Sequence, residues 1–174
     1  MRTHEFTVIA SGVDVQADGY EDRFFEAGCD DATLSFQKGL LIAEFAREAP
    51  TLSRAVLSAI EDMKAAGAVI ERIEPDYLVS LSDIAERCSL SKQAISLYAQ
   101  GKRGSGFPPP VAKVMSGHPL WDWYAVANWL HQKSYVERDV VISARILKEV
   151  NASLIAAHLP HGGLTGRLEA LEVA

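Results

Sequence analysis

The sequence predicts a mixed α+β fold, with a sheet and helices in its first half, a helical module in the middle and a further helix near the end. Three observations predict this: strand-like runs lie before residue 76, two short helices follow from Leu81, and the charge changes sign there. Residues 1–79 carry seven basic and fifteen acidic side chains, a net charge of −8, whereas residues 80–136 carry six and three, a net charge of +3. Residues 137–174 have a net charge of −1, so a basic middle lies between acidic flanks, as in many nucleic-acid-binding chains with regulatory parts.

The composition is that of an ordinary globular chain of 174 residues, 48% hydrophobic and 23% charged, which argues against a disordered or collagen-like protein. No apolar run approaches the roughly 20 residues of a transmembrane helix, and the N-terminus lacks a secretory signal, so we expect a cytoplasmic protein. Cys29 and Cys88 have no companions at metal-ligand spacing. We therefore expect two reduced cysteines in the interior and no zinc site.

The first half of the chain predicts the element order β-α-β-β-α-β. Segments in which every second residue is apolar indicate strands, segments with apolar residues three or four positions apart indicate helices, and glycine-containing breaks separate them. The predicted elements are, in order, a strand at 6–10, a short helix that ends at Gly28, strands at 33–36 and 40–45 joined by a turn at Gly39, a helix from Pro50-Thr51 to Gly67, and a strand at 68–73. This is the order of a ferredoxin-like sandwich, in which two helices cover one face of a four-stranded antiparallel sheet. We predict such a domain over residues 1–75, a fold that implies no chemistry by itself.

Residues 81–100 have the pattern of two short helices that bury a single line of contact, a helix-turn-helix. Ala85 is small where the helices would approach most closely. Ser82 and Ser91 can cap the first and the second helix. The positions that we expect in the interior are Ile84, Cys88, Leu90, Ile95 and Tyr98.

The outward face of the second helix carries polar side chains suited to the edges of DNA bases. Glutamine pairs with adenine, lysine donates to guanine or phosphate, and serine is small enough to approach a base. The residues that we expect to contact DNA in the major groove are Ser91, Lys92, Gln93, Ser96 and Gln100. For this motif alone, a solvated face of an ordinary helical hairpin is an equal alternative.

A basic, glycine-rich segment follows the second helix, and we expect its Lys102 and Arg103 to contact phosphates. Residues 111–115 and 119–124 can pair as a hairpin around 116–118, a wing with Lys113 and His118 near its tip. A closing helix follows, with Asp122 or Tyr124 near its start. The three tryptophans of this region, Trp121, Trp123 and Trp129, can stack on bases, but their spacing favours packing in the core.

Residues 79–132 resemble the winged helix-turn-helix of the excisionase and MerR-like superfamily, particularly the short AlpA-type phage regulators. The stretches that carry the resemblance are Ser91 to Ile95, Phe107 to Val111 and Leu120 to Leu130. The resemblance implies binding to double-stranded DNA, with the second helix in the major groove and the wing near the backbone or minor groove. Wings of this family usually carry arginines, which this chain lacks there. We therefore expect Lys102 and Arg103 to make the main contacts with the DNA backbone. The N-terminal part resembles uncharacterised bacterial ferredoxin-like domains attached to such a module, which implies association or the sensing of a small-molecule or protein effector.

The C-terminal segment, residues 137–174, predicts an amphipathic helix from Asp139 to Leu159. Its apolar stripe is formed by Ile142, Ile146, Leu147, Val150, Leu154 and Ile155, while Arg145, Lys148, Glu149, Asn151 and Ser153 occupy other directions. We predict a homodimer with this helix as the seam, because one recognition helix reads only a few base pairs. The alternative is that the helix folds back on its own winged domain.

The sequence indicates neither an enzyme nor a cofactor, because no phosphate-binding loop, nucleophile elbow or metal-ligand spacing occurs. The five histidines form no ligand set, and His158 and His161 are expected to mark a helix end. Asp30 and Asp31 are expected in a solvated turn. Two functions remain open: a sequence-specific DNA-binding transcription regulator, and an antitoxin or adaptor whose main role is protein–protein interaction.

Overall fold

The computed structural model describes residues 1–157 and 167–168 and has a mixed α+β architecture. Among these residues, six helices accompany a four-stranded antiparallel sheet and a two-stranded ladder. The elements are β1 (Arg2–Ser11), α1 (Tyr20–Glu26), β2 (Ala32–Gln37), β3 (Leu40–Ala49), α2 (Leu52–Ala65), β4 (Val69–Glu74), β5 (Leu78–Val79), α3 (Leu81–Arg87), α4 (Lys92–Ala99), β6 (Trp121–Asp122), α5 (Trp123–Gln132) and α6 (Arg138–Ala157).

The sheet has the strand order β2-β3-β1-β4, with every neighbouring pair antiparallel. One face of β1 presents Phe6, Val8 and Ala10 to a core that also includes Phe24 of α1 and the buried side of α2. Both helices therefore cover the same face of the sheet. Each strand and helix expected in residues 1–75 is present, with boundaries that differ by a few residues.

Arg47 of β3 forms a buried ionic network beneath the loop after α1. Its guanidinium group contacts Asp31 through two nitrogens at 2.8 Å each, Asp62 of α2 at 2.7 Å and the Gly28 carbonyl oxygen at 2.6 Å. These hydrogen bonds, with that to Asp31 the largest cause, raise the pKa of Arg47. Asp30 and Asp31 lie in the expected turn and Asp30 is exposed, but Asp31 is not simply solvated, because an arginine on the core side of a strand needs carboxylate partners.

The second core lies around α3, α4 and α5 and contains the interior residues expected for the helix pair. Ile84, Ile95 and Tyr98 are buried, Cys88 is 9% exposed, and Leu90 packs against this core. The three tryptophans are also buried here, as their spacing favours.

The predicted N-cap residue of α4 is confirmed, and that of α3 is wrong. Ser91 caps α4, with its Oγ accepting a hydrogen bond from the amide of Ala94 at 3.1 Å. Helix α3 is capped by Ser80, not by Ser82: Ser80 and Asp83 exchange side-chain and backbone hydrogen bonds in a capping box. Asp83 at the third helical position makes Ser80 the better cap, because it returns a bond to the Ser80 amide.

The predicted hairpin of 111–115 with 119–124 is much shorter in the structure than expected. A single antiparallel bridge joins Ala112 and Leu120, and residues 113–119 form the turn between them. The next residues, β6, pair with β5 instead. Asp122 then caps α5, because its Oδ1 accepts from the Tyr124 amide at 2.9 Å, so the chain is helical where the second strand was expected.

Helix α6 lies against both cores of its own chain, which is closer to the alternative that it folds back than to the predicted dimer seam, and the homodimer itself stays a prediction. Leu147 and Leu154 belong to the core of the sheet, and Ala144 belongs to the core of the helical module. Asn151, expected to face another direction, is buried and 3% exposed. The helix folds back within its own chain and covers both cores, while Ile142 and Ile155 of its apolar stripe stay 46% and 53% exposed.

Both cysteines are free and buried, as expected. Burial is the main cause that raises the pKa of the Cys29 thiol to about 11. No helix in the described ranges is long and apolar enough to cross a membrane. The expected end of the C-terminal helix, with Leu159, His158 and His161, lies outside the described residues.

Candidate nucleic-acid interface

Helix α4 presents one side to the second core and the other to solvent. Ile95 and Tyr98 fix the inner side, while Ser91, Lys92 and Gln93 are exposed at its N-terminal end. The turn before it is tight, since Ser89 adopts a positive φ of 55°. The helix therefore projects its first turn away from the body of the module.

Two further polar residues expected at the interface, Ser96 and Gln100, contact each other. The Gln100 Nε2 donates to Ser96 Oγ at 2.9 Å along the helix surface. Ser96 is half-buried and Gln100 is exposed. Gln100 keeps its carbonyl oxygen free for another donor, so this bond orients the amide without using all of its hydrogen-bonding capacity.

The basic segment after α4 folds back on the end of the helix. The amides of Lys102 and Arg103 both donate to the carbonyl oxygen of Leu97, at 2.9 and 3.2 Å. Gly101 adopts a φ of 67°, the left-handed conformation that commonly ends helices. The two basic side chains are thereby held beside the last turn of α4, and both residues are exposed.

An aromatic cluster supports this segment from below. Its members Tyr98, Phe107 and Trp129 pack with ring centroids 5.0–6.5 Å apart. The Arg103 guanidinium lies 5.2 Å from the centre of the Tyr98 ring, and the Trp129 indole donates to the carbonyl oxygen of Ser105 at 3.0 Å. The cluster positions the basic segment relative to α4.

Sequence reasoning placed Tyr98 in the core but did not identify its partners. Its hydroxyl shares a 2.8 Å hydrogen bond with that of Tyr135, which is the main cause that raises the pKa of Tyr98. Tyr135 lies after α5, thirty-seven residues away in the chain. A tyrosine at an interior position signals the need for a hydroxyl partner, but the sequence does not identify that partner.

The turn at residues 113–119 carries the remaining candidates, Lys113 and His118, both exposed. Its backbone is ordered by Ser116, whose Oγ donates to the Lys113 carbonyl and accepts from the His118 amide. Met115 at its tip is 99% exposed, and Val114 is 57% exposed. Lys113 and His118 therefore lie on the same turn, outside helix α4.

The basic side chains of this surface have no carboxylate partners. Three of them, Lys92, Lys102 and Arg103, form no ion pair with any described residue, and neither does Lys113 on the turn, whereas Lys148 of α6 binds Asp122. We call Ser91, Lys92, Gln93, Ser96, Gln100, Lys102 and Arg103 the α4 surface. Its lysines and arginine are free to neutralise an external anion.

The described part of the chain contains no cluster of three or more histidine, cysteine or acidic residues arranged to hold a metal ion. Comparison with models of protein families, with curated proteins and with solved structures finds no match for this chain. The geometry of the α4 surface is therefore the basis for the function proposed next.

Proposed function

We propose that the protein is a sequence-specific regulator that binds double-stranded DNA through the α4 surface. The observation that carries this proposal is the combination of an exposed polar first turn of α4 with unpaired cations at both of its ends. An α-helix with its side chains is about 10–12 Å in diameter, which fits the major groove of B-DNA, about 12 Å wide. Gln93 then reads a base edge, and Lys102 and Arg103 contact phosphates.

The uneven distribution of charge supports this assignment despite an overall charge of −6. Affinity for DNA depends on phosphate neutralisation by local cations, and these lie in the region of +3. The acidic first half, with −8, opposes close contact with the duplex and directs the molecule to approach through the α4 surface. An orientation set by charge also weakens nonspecific binding.

The proposal also includes the two domains, the wing and the oligomeric state of the protein. We assign residues 1–75 to a ferredoxin-like domain used for association or effector sensing, and residues 79–132 to a winged helix-turn-helix of the excisionase and MerR-like type. The turn at residues 113–119 takes the role of the wing, at the backbone or the minor groove. We further propose a cytoplasmic homodimer whose two α4 surfaces lie one DNA turn, roughly 34 Å, apart. Because Leu147 and Leu154 of α6 are buried within the chain, we place the dimer interface on the face of the N-terminal sheet opposite α1 and α2.

A second candidate function is an adaptor or antitoxin that binds another protein. The exposed apolar side chains of Val111, Val114 and Met115 favour it, because neighbouring apolar groups at a loop tip are suited to a protein partner. Substitution of Met115 by Ser separates the two functions. DNA affinity changes by less than about twofold if the tip serves protein binding alone, and falls further if the tip enters the minor groove.

Two substitutions test the DNA-binding proposal. We expect Gln93→Ala to cost about 1–3 kcal/mol on the preferred sequence and to relax the preference at one base pair. Arg103→Ala should weaken binding to all duplexes alike and reduce the salt dependence by about one unit. Gln132→Ala, an exposed change at the end of α5, is the matched control. Equal effects of Gln93→Ala and Arg103→Ala on preferred and random duplexes would contradict the assigned roles.

A further inference from the structure

A cavity of about 530 Å³ lies where β1, α3, α5 and α6 meet, away from the α4 surface. Small-molecule sites in proteins have volumes of about 300–1,000 Å³, largely apolar walls and a few polar groups. The apolar walls of this cavity include Phe6, Leu52, Trp123 and Leu147. It therefore has the size and the lining of a ligand site, and we call it the Arg87 cavity after the residue described next.

Arg87, in the last turn of α3, supplies an unpaired cation to this cavity. Its Nη1 donates to the carbonyl oxygen of Asp76 at 2.8 Å, and its guanidinium lies 5.2 Å from the centre of the Trp123 ring. These two contacts fix the position of the guanidinium. Its Nε and Nη2 have no acceptor, and it forms no ion pair, among the described residues.

The electrostatic surroundings agree with a guanidinium that lacks a close counter-charge. Burial is the largest influence on Arg87 and lowers its pKa, while the more distant carboxylates of Asp83 and Asp76 act in the opposite direction. Arg2 at the rim of the cavity differs, because it already pairs with Asp139 at 3.0 Å. Glu5 is the other charged residue of the lining, so Arg87 is the cation that remains for a bound anion.

His4 gives the wall of the cavity a second unsatisfied polar group. Its side chain is on β1, the residue is 7% exposed, and its Nε2 is buried without a hydrogen-bond partner among the described residues. Buried polar atoms in folded proteins are nearly always hydrogen-bonded. His4 and Arg87 line the same cavity, and two incompletely hydrogen-bonded groups in one cavity indicate that a group from outside the chain completes this site.

We propose that the Arg87 cavity binds a small carboxylate with an aromatic body. The carboxylate accepts two parallel hydrogen bonds from the free N–H groups of Arg87, a pairing that guanidinium geometry favours. The ring packs against Trp123 and Phe6, and a polar substituent of the ligand meets His4. This inference deepens the effector role proposed above and rests on it only for its regulatory meaning, because ligand binding is measured without DNA.

Calorimetric titration of the full chain with phenylacetate tests the site. Phenylacetamide keeps the ring without the charge, and acetate keeps the charge without the ring. We expect phenylacetate to bind and each of the other two to bind at least about tenfold more weakly, since each lacks one of the two contacts. Absence of phenylacetate binding, or equal binding of the amide, overturns the proposal.

Arg87→Gln removes the charge and the guanidinium fork while keeping a polar side chain, so we expect it to weaken phenylacetate binding at least about tenfold. Arg145→Gln, on the exposed side of α6, is the matched control and should leave binding unchanged. Unchanged affinity in Arg87→Gln overturns the assignment of that residue.

The unaltered protein gives an independent readout if Arg87→Gln does not fold. Phenylacetate should shift the indole N–H resonance of Trp123, which lines the cavity, and leave that of Trp129 in place. An unmoved Trp123 resonance at saturating phenylacetate overturns the proposal. A protein that binds phenylacetate in this way but binds no DNA refutes the proposed function while leaving the cavity assignment intact.

Discussion

Replacement of Asn151 by Ala is expected to destabilise the protein by removing a hydrogen-bonded link between α6 and the edge of the sheet. The Asn151 Oδ1 accepts from the Ile73 amide at 2.8 Å, and its Nδ2 donates to the Ile73 carbonyl at 2.9 Å. Both residues are buried, at 3% and 0% exposure. The amide thereby satisfies an edge strand that would otherwise present unpaired backbone groups.

The magnitude follows from the two backbone groups that the substitution leaves without partners. Each buried unsatisfied group costs about 1–3 kcal/mol, and water that enters the space left by the amide offsets part of this, so we expect a loss of about 2–4 kcal/mol. Asn128→Ala on α5 is the matched control, because Asn128 is exposed. It should change the free energy of unfolding by less than about 0.5 kcal/mol.

Urea unfolding followed by two signals measures this loss. The three tryptophans all lie in the helical module, so their fluorescence reports that module, whereas far-UV circular dichroism reports the whole chain. We expect coincident transitions in the unaltered protein and separated transitions in Asn151→Ala, because α6 joins the two cores. A loss as small as that of the control, with transitions that stay coincident, would refute the linking role of Asn151.

Three further predictions concern stability and reactivity. Arg47→Leu should cost about 3–5 kcal/mol in urea unfolding, because it leaves two partly buried carboxylates without a partner; a change below about 1 kcal/mol would show that the network is dispensable. Cys29 and Cys88 should resist iodoacetamide at pH 8 in the folded protein and react in urea, because burial raises the pKa of both thiols; rapid labelling of the folded chain would contradict this. Asp83→Ala should cost about 0.5–2 kcal/mol of unfolding free energy at pH 7. Because the hydrogen bonds from Ser80 lower the Asp83 pKa, this contribution is present above the ordinary carboxyl pKa and disappears as the pH falls through the lowered value. A loss equal at pH 7 and pH 2 would exclude the capping box as its source.

The sequence predicted those parts of the fold that depend on local periodicity. Ile84 and Ile95 recur at the spacing of two crossing helices, and Phe6, Val8 and Ala10 at the spacing of a strand, and all five are buried where expected. Such patterns need no knowledge of distant partners, because each element must bury its own apolar side.

The sequence did not predict contacts in which a polar residue finds a distant partner. Asn151 interrupts an apolar stripe, a signal that it meets a buried group, but only the tertiary structure identifies Ile73 as that group. Arg47 and Asp31 are separated by sixteen residues, and nothing local relates them. The expected hairpin failed for a similar reason, since Trp121 pairs with Val79 of a strand forty-two residues earlier.

The helical positions of the α4 surface follow from the spacing of a helix, and four of them, Ser91, Lys92, Gln93 and Gln100, are exposed as expected, whereas Ser96 is half-buried. Their hydrogen bonding was not foreseen: Gln100 contacts Ser96, and Arg103 lies over Tyr98. Helical spacing places Ser96 and Gln100 side by side, but their hydrogen bond depends on side-chain conformation, as does the position of Arg103 over Tyr98. The same holds for the Arg87 cavity, which forms only where α6 returns to β1.

The central claim, sequence-specific recognition of double-stranded DNA by the α4 surface, is tested most directly by selection of binding sites from a pool of random duplexes. The selected duplex and a scrambled duplex of the same composition are then compared by fluorescence anisotropy at several salt concentrations. We expect enrichment of a short motif, at least about a thousandfold preference for it, and affinity for both duplexes that falls steeply with added salt. A pool that stays random after repeated selection, with no salt-dependent binding, would contradict the claim.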